Sequence, residues 1–353
     1  MKGRTIKRRI VKRRSILAAL AALTLAGAAP AYSQAAKPDR IVIAAYGGIW
    51  ADSVRKNFIP CFEQKTGVKV EVITGESADW LARIRANPTN PPIHVVALAE
   101  ADSLRAAKEG LLEQATVQKL PNLADIPDQF HKPWNDYSVA QNIGGFGVIY
   151  NKSVIKDPPA TWREFIDNVA AGKYGKRVSL PSGTYTWGPE FIWLVSQQYD
   201  GNVDTAFAKL KEASQNSVVK FWTTPVEALN LFGTKEVDAM VYWDGRAISF
   251  IDKGNDWAGF YLPGPKTIAG LAMLSKVKNA PDVSWDYINC ALAPENQLKH
   301  AQTILYAVPN QKVVYPQDVK DKLAPVEKIV IPPYDKIFDQ FGGWIERWNK
   351  EIR

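Results

Sequence analysis

The sequence has few of the residues on which most catalytic and metal centres depend. Among its 353 residues only three are histidines, His94, His131 and His300, and their spacing does not suit metal ligation. The two cysteines form no C-x-x-C pair, and no GxSxG, HExxH, P-loop or strand-following GxGxxG motif occurs. We therefore expect no enzyme, no metal and no cofactor. A secreted hydrolase that works with paired carboxylates stays open as an alternative.

Long apolar runs are also scarce, and the most prominent one lies near the N-terminus. Eight basic residues within the first 14 positions lead into "ILAALAALTLAGAA" and then into small residues near Ser33 and Ala35. This pattern predicts an export signal over residues 1–36, with an apolar run too short for a permanent membrane anchor. "KRRSIL", residues 12–17, also fits a twin-arginine pattern. We expect export to the periplasm, by the general or the twin-arginine route.

The chain that remains after this signal has no excess of either charge. The formal net charge of +8 comes from the eight leading basic residues, because the first acidic residue is Asp39. Their removal leaves 36 basic residues against 36 acidic ones. A balanced charge without a basic stripe argues against a nucleic-acid partner. We expect a soluble protein, most simply a monomer.

The two cysteines leave two states open. Cys61 lies in "NFIPCFEQKTG" and Cys290 in "WDYINCALAPENQ", both of which are helix-like. In an oxidising compartment they can form one disulfide, or each can be a separate buried thiol. The sequence does not decide between these states, because it does not fix the distance between the two Cα atoms.

Apolar, β-rich runs alternate with amphipathic helices along the rest of the chain. "RIVIAAYGG" begins a βαβαβ series with one helix over 49–67 and another over 77–87, and the series ends at "IHVVALAE". A second series runs from "RVSLPSG" to "DAMVYWDG". This order predicts parallel strands covered by helices, and such sheets bind ligands at the carboxyl ends of their strands. Thr161, three residues before Glu164, predicts a helix capping box.

Six motifs, in this order, resemble the landmarks of periplasmic solute-binding proteins of the spermidine/putrescine-binding type. They are "YGGIWADSVRKNFIPCFEQKTGVKVEV", "GFGVIYNKSVI", "TWREFID", "KEVDAMVYWDGRA", "INCALAPENQ" and "YAVPNQKVV". Proteins of this family serve ATP-binding-cassette importers, so the resemblance implies a small-molecule ligand and a membrane permease as partners. It also implies the α/β, two-lobed type II periplasmic binding fold, in which each lobe is a mixed sheet flanked by helices and the ligand lies in the interlobe cleft.

The resemblance further implies how the chain divides between the lobes. Lobe 1 would comprise residues 37–140 and 267–315, and lobe 2 residues 141–266 and 316–353. Cys61 and Cys290 would then lie in the same lobe, which favours the disulfide over two separate thiols.

Residues that follow the strands form the predicted ligand-binding set. The segment "VYWDGRA" offers aromatic faces for an ammonium, an acid to neutralise it, and a guanidinium suited to a carboxylate or phosphonate. Alternation along a strand lets only one of Tyr242 and Trp243 face the cleft. The full set is Tyr46, Glu76, Ser77, Trp187, Trp222, Tyr242, Trp243, Asp244 and Arg246.

Several of these residues have a purely structural alternative. Ser77 and Asp244 can each cap the helix that follows them, and Trp222 can belong to the core. Trp187 lies in a glycine-flanked loop, where we expect its indole to be exposed unless a ligand covers it. Tyr46 can be a packed loop residue that never touches a ligand.

The predicted ligand is a small amine with an anionic end, such as an ω-amino acid or an aminophosphonate. A linear polyamine needs acids at both ends of the cleft, but besides Asp244 the sequence offers only Glu76 and Glu100, which are weaker candidates. Arg246 would also repel a polycation. A polyamine or a quaternary amine nevertheless stays open. So does an unrelated solute of the same fold, such as iron, thiamine or another ion, although no tyrosine pair stands at a strand end to suit iron.

Overall fold

The structure, a computed structural model, describes residues 1–3 and 37–352. Nearly all of the predicted export signal lies outside the described residues, so that interpretation stays a prediction. Within the described ranges, no helix is long and apolar enough to cross a membrane.

The described chain contains eleven strands and fourteen α-helices. The strands are β1 (Arg40–Ala45), β2 (Lys69–Thr74), β3 (Val95–Leu98), β4 (Leu112–Glu113), β5 (Val139–Asn151), β6 (Val178–Pro181), β7 (Val218–Trp222), β8 (Ala239–Trp243), β9 (Ala258–Tyr261), β10 (Thr267–Val277) and β11 (Ile329–Val330). The helices are α1 (Ile49–Asn57), α2 (Ile59–Thr66), α3 (Ser77–Ala86), α4 (Glu100–Lys108), α5 (Trp162–Ala170), α6 (Gly188–Gln197), α7 (Val203–Asn216), α8 (Pro225–Gly233), α9 (Asp244–Asp252), α10 (Ser284–Leu292), α11 (Pro294–Ile304), α12 (Gln317–Lys320), α13 (Tyr334–Ile337) and α14 (Phe341–Glu351).

Two groups of parallel strands are joined by two long antiparallel ones. The sheet order is β2-β1-β3-β10-β5-β8-β6-β7. Strand β1 pairs in parallel with β2 and β3, and β6 pairs in parallel with β7 and β8. We call the group built on β1–β3 lobe 1 and the group built on β6–β8 lobe 2. This mixed architecture confirms the predicted fold class, with the parallel strands of each lobe arising from its strand–helix–strand units.

Strand β5 passes from one lobe to the other without a break. Its residues Val139–Gly145 pair with β10, and Phe146–Tyr150 pair with β8 in lobe 2. The change of partner therefore falls between Gly145 and Phe146. The lobe ranges expected from the resemblance put this crossover at residues 140–141, inside the part of β5 that pairs with β10.

The C-terminal segment touches both lobes. Helix α14 packs against α6 and α7 of lobe 2. Just before it, the ring of Phe338 lies 4.6 Å from Nζ of Lys108 and 5.8 Å from the guanidinium carbon of Arg105, both on α4 of lobe 1. Residues 316–352 therefore contact both lobes and do not belong to lobe 2 alone.

The expectation of one continuous helix over 49–67 is wrong. Helix α1 ends at Asn57 and α2 begins at Ile59, with Phe58 between them. Pro60 explains the interruption, because proline has no backbone N–H to donate and its ring crowds the carbonyl four residues earlier. Helix α2 ends at Thr66 and is capped by Gly67, whose φ of 71° is left-handed and therefore favours glycine. Helix α7 was not predicted from the sequence.

The sulfur atoms of Cys61 and Cys290 are bonded. The Cα atoms of the two residues are 5.9 Å apart, and the bond links α2 to α10 across 229 positions of sequence. The rings of Phe62 and Tyr287 pack edge to face beside it, 5.9 Å apart. Of the two states that the sequence leaves open, the structure has the disulfide, and it lies within lobe 1.

Candidate functional site

A small aromatic cavity lies where the two lobes meet, beyond the carboxyl ends of the parallel strands. It has a volume of about 40 Å³. Its walls come from both lobes and from the two long strands, and the lining residues are Tyr46, Trp50, Asn142, Tyr185, Trp187, Pro225, Trp243, Arg246, Gly270, Ala272 and Tyr306. Arg246 is the only charged residue in this lining. The cavity therefore presents aromatic faces and one guanidinium.

A larger groove, of about 1080 Å³, lies elsewhere on the fold. Ile143 of β5 lines it together with helix α4 and residues 326–339 of the C-terminal segment. Asn142, the preceding residue, lines the small cavity, so the two spaces lie on opposite faces of β5 because neighbouring side chains of a strand alternate. Of these two spaces, the small cavity is the one that collects residues from the parallel strand ends of both lobes, and we take it as the candidate site.

Tyr46 forms the lobe 1 wall and is held by a network inside that lobe. Its hydroxyl is 2.9 Å from Oγ of Ser77, and the backbone N–H of Ala99 donates to the same Oγ at 3.0 Å. These residues follow β1, β2 and β3, so Ser77 ties three strand ends together. Ser77 makes no capping bond; the N-cap position of α3 belongs to Glu76. Ser77 therefore supports Tyr46 from behind and does not line the cavity.

Trp243 forms the lobe 2 wall. Its ring stacks on Phe146, with centroids 3.9 Å apart and planes 23° apart, and its Nε1–H donates to the hydroxyl of Tyr185 at 3.1 Å. On the side of β10 the indole lies against Gly270, where a Cβ atom would clash with the ring. Trp243 is therefore fixed in position by residues of β5 and β10.

Two residues of the predicted set stand behind this wall. Tyr242 points to the opposite face of β8 and is fully buried, with its hydroxyl donating to the carbonyl of Pro225 at 2.7 Å. Trp222 is also fully buried, and its Nε1–H donates to the carbonyl of Val241 at 3.2 Å. Both are core residues that the structure keeps out of the cavity lining, so we omit them from the site proposed below.

Trp187 lines the cavity, but the expectation that its indole is exposed is wrong. Only 6% of its surface is accessible. Its ring centroid lies 5.1 Å from that of Trp243 and 5.8 Å from that of Tyr46, so it joins the walls of the two lobes. Its Nε1–H donates to Oε2 of Glu100 at 2.5 Å. Neighbouring residues of the protein therefore bury this indole and accept its hydrogen bond.

Arg246 brings a positive charge to the cavity from the first turn of α9. Its guanidinium reaches the start of α1, where Nη1 lies 3.9 Å from the position that a Cβ would take on Gly48. The carboxyl group of Glu76 interacts electrostatically with Arg246. It is not close enough to form an ion pair, and neither is any other acid of the described residues. Burial raises the pKa of Glu76 to about 7, while Arg246 opposes that rise. The guanidinium is thus available to an anion.

Asp244 lies outside the cavity lining and is not the N-cap residue of α9. It is fully buried, and the N-cap position belongs to Trp243. Its Oδ1 accepts the N–H of Gly245 at 2.8 Å, and its Oδ2 has no partner among the described residues. Burial raises the pKa of Asp244 to about 7. Asp244 is therefore a buried carboxyl group behind the cavity, and its predicted contact with a ligand stays a prediction.

Sequence reasoning missed seven lining residues: Trp50, Asn142, Tyr185, Pro225, Gly270, Ala272 and Tyr306. The ring of Tyr306 lies between Gly144 and Gly245, where a Cβ on either glycine would clash with it. The sequence does contain this tyrosine in "YAVPNQ" and the two glycines in "IGGFG" and "WDGR". Periodicity could not show that they pack together, because the three segments are far apart in the sequence. Tyr185, two residues before Trp187, could have been found from their shared loop.

The family of the chain follows from comparison with known proteins. Residues 58–326 match the model of the bacterial extracellular solute-binding proteins. The match covers most of the chain, which therefore belongs to this family. The structure is also similar to an ABC transporter substrate-binding protein from Bradyrhizobium japonicum, with a TM-score of 0.76 and 22% identity over 90% of this chain and all of that one.

Curated relatives differ in the solute that they are named for. The chain is 22% identical to a norspermidine sensor of Vibrio cholerae over 44% of this chain and 43% of that protein. It is 24% identical to a thiamine-binding periplasmic protein of Salmonella typhimurium over 94% and 97% of the two chains. It is also 24% identical to a putative 2-aminoethylphosphonate-binding periplasmic protein of Salmonella typhimurium over 44% and 43%. Two of these matches thus span less than half of the relative.

Proposed function

We propose that this chain is the periplasmic component of an ATP-binding-cassette importer and that it binds a small zwitterionic amine, such as an ω-amino acid or an aminophosphonate. The observation that carries the proposal is the pairing of an aromatic cavity with one guanidinium that has no carboxylate partner in the described structure. Aromatic faces attract a desolvated ammonium, and the planar fork of arginine suits a carboxylate or phosphonate.

The charge balance of the site favours a zwitterion over a polycation. Arg246 is the only charged lining residue, and it would repel a polyamine that entered the cavity. Glu76, whose Oε2 is buried without a partner among the described residues and whose charge interacts with Arg246, is the candidate to receive the ammonium. The relative named for 2-aminoethylphosphonate supports this ligand class, whereas those named for norspermidine and thiamine support a simple cation.

The proposed mechanism is capture by lobe closure, without chemistry on the ligand. Tyr46 and Trp50 come from lobe 1, and Trp243 and Arg246 come from lobe 2, so a ligand in the cavity contacts both lobes. A ligand that touches both lobes stabilises the closed arrangement by its differential affinity. The cavity of about 40 Å³ is far smaller than the usual range of about 300–1,000 Å³ for ligand sites, so the lobes would have to separate to admit a solute of the proposed class. A permease would then recognise the closed form.

The test is a calorimetric and thermal-shift screen of residues 37–353. The panel contains 2-aminoethylphosphonate, γ-aminobutyrate, putrescine, spermidine, choline, thiamine and ferric citrate. We expect a zwitterion to raise the melting temperature and Arg246→Ala to weaken its binding by at least about 30-fold, as loss of a buried charged partner does. Arg163→Ala is the matched control, because Arg163 is an exposed arginine of lobe 2 that pairs with Asp167.

Two results would contradict the proposal. If polyamines alone stabilise the protein, Arg246 is not a ligand contact and the zwitterion class is wrong. If a zwitterion binds equally well to the Arg246→Ala and Arg163→Ala variants, the anionic group of the ligand does not bind to Arg246.

A further inference from the structure

We propose that Glu100 is a positioning residue of the aromatic cavity: its carboxyl group joins Trp187 of lobe 2 to strand β10 and thereby fixes the indole in the wall. The inference depends on the proposed function in one respect, which is that this cavity is the ligand site. Glu100 has no exposed surface and does not line the cavity itself.

The hydrogen bonds of Glu100 cross the boundary between the lobes. Its Oε2 accepts the Nε1–H of Trp187 at 2.5 Å, and its Oε1 accepts the backbone N–H of Leu271 in β10 at 2.7 Å. The indole of Trp134 in lobe 1 donates to the backbone carbonyl of Glu100 at 2.9 Å. The carboxyl group is thus anchored in lobe 1 and holds a residue of lobe 2.

This geometry requires a carboxyl group. Both oxygens accept an N–H, so a glutamine at this position can satisfy only one of the two donors. Its amide nitrogen would face the other N–H group, and a buried N–H without an acceptor is costly. Glu100→Gln, which keeps the size of the side chain, therefore tests the two bonds directly.

The groups that face Glu100 are mostly acidic. Asp102 on the same helix holds Arg105, with Oδ1 and Nη1 2.8 Å apart. Glu190 on α6 is fully buried, its Oε1 accepts the hydroxyl of Tyr334 at 3.1 Å, and its Oε2 has no partner in the described chain. Burial raises the pKa of Glu100 to about 8 and the pKa of Glu190 well above its usual range, and Glu100 adds to the second rise.

The bond between Trp187 and Glu100 should therefore respond to pH near neutrality, far above the range of an ordinary carboxylate. An ionised acceptor makes a shorter and stronger hydrogen bond than a neutral one. The indole proton of Trp187 should move downfield as Glu100 ionises. A residue that only fills space behind the indole would produce no such titration.

The experiment records the indole ¹H–¹⁵N resonances of the ¹⁵N-tryptophan-labelled mature chain from pH 5 to 9, and Trp187→Phe identifies the resonance of Trp187. We expect this resonance to titrate with a midpoint near 8 in the wild type. In Glu100→Gln it should lie upfield and stay constant with pH. Glu109→Gln, at the exposed end of the same helix, is the matched control and should leave the resonance unchanged.

The proposal is overturned if the Trp187 resonance is the same in Glu100→Gln as in the wild type, or if the wild-type resonance does not titrate between pH 5 and 9. Should Glu100→Gln not fold, the wild-type titration alone still decides between these results. A second readout is the affinity for 2-aminoethylphosphonate, which Glu100→Gln should weaken roughly tenfold, as the loss of a buried hydrogen bond does. If this solute does not bind at all while the resonance behaves as expected, the proposed ligand class fails and the positioning role stands.

Discussion

The two lobes build their halves of the cavity in different ways. In lobe 1, Tyr46 is bonded to Ser77, and Ser77 to the N–H of Ala99, so the wall is complete within the lobe. In lobe 2, the indole of Trp187 takes its hydrogen-bond partner from lobe 1 and the guanidinium of Arg246 has no ion-pair partner among the described residues. Lobe 1 therefore holds Tyr46 by contacts of its own, whereas the aromatic wall of lobe 2 depends on the other lobe.

This difference indicates which contacts change when the lobes separate. Opening would break the bond between Trp187 and Glu100, but it would leave the network of Tyr46 and Ser77 intact. A ligand with an anionic group would supply the partner that Arg246 lacks. We infer that the lobe 2 half of the site is the one that ligand binding organises, in line with hinge closure in which each lobe moves as a body.

The largest expected effect concerns the covalent link of lobe 1. Replacing both cysteines, Cys61→Ser with Cys290→Ser, should lower the free energy of unfolding by about 2–5 kcal/mol, because the bond closes a long loop in the unfolded chain. The measurement is denaturant unfolding of the double variant beside the oxidised wild type. Affinity for the ligand should change little, since neither cysteine lines the cavity.

The wild type in a reducing buffer is the control for this prediction. If it loses the same stability as the double variant, the bond and not the serine substitution is responsible. A loss of affinity at unchanged stability would contradict the view that the disulfide only braces lobe 1.

A smaller effect is expected from the buried acid of lobe 2. The pKa of Asp244 is raised to about 7 from a usual value of 3.8, so its folded form favours the neutral acid. The contribution of Asp244 to stability is complete below its unfolded pKa and is lost as the pH rises towards 7. Relative to Asp244→Asn, the wild type should lose roughly 3 kcal/mol between pH 5 and 8, at about 1.4 kcal/mol per pH unit up to the folded pKa.

Denaturant unfolding of both proteins at several pH values measures this difference. Asp252→Asn, on the exposed end of the same helix, is the control and should follow the wild type. A constant difference between Asp244→Asn and the wild type across this range would mean that Asp244 is ionised in the folded chain.

Much of the fold was predictable because it depends on local patterns. Apolar runs and helix periodicity located β1–β3 and β6–β8, and Thr161 caps α5 as its spacing from Glu164 predicted, with the Glu164 N–H donating to Oγ1 at 3.1 Å. The break between α1 and α2 was missed because the apolar pattern continues through Pro60. The pattern showed which face is buried, but it did not show that the proline interrupts the backbone bonds.

The site was less predictable because side-chain direction and long-range contacts decide it. The end of β8 lies at the cavity, but the sequence did not show whether Tyr242 or Trp243 faces it. Tyr306 enters from a segment about 160 residues from Gly144, which makes room for it. Trp187 was expected to need a ligand as cover, whereas Glu100 and the neighbouring rings already bury it.

The smallest expected effect tests whether Tyr46 is held within lobe 1 alone. Ser77→Ala removes the acceptor of the Ala99 N–H and the partner of the Tyr46 hydroxyl, and both groups are buried. A buried donor left without an acceptor costs about 1–3 kcal/mol, so the free energy of unfolding should fall by about that amount. Thermal and denaturant unfolding measure the loss, with Ser153→Ala, an exposed serine of lobe 2, as the control. Because Tyr46 is held inside lobe 1, the loss should be present with or without a bound solute. A loss that appears only when a solute is bound would mean that closure, and not lobe 1 alone, builds this wall of the cavity.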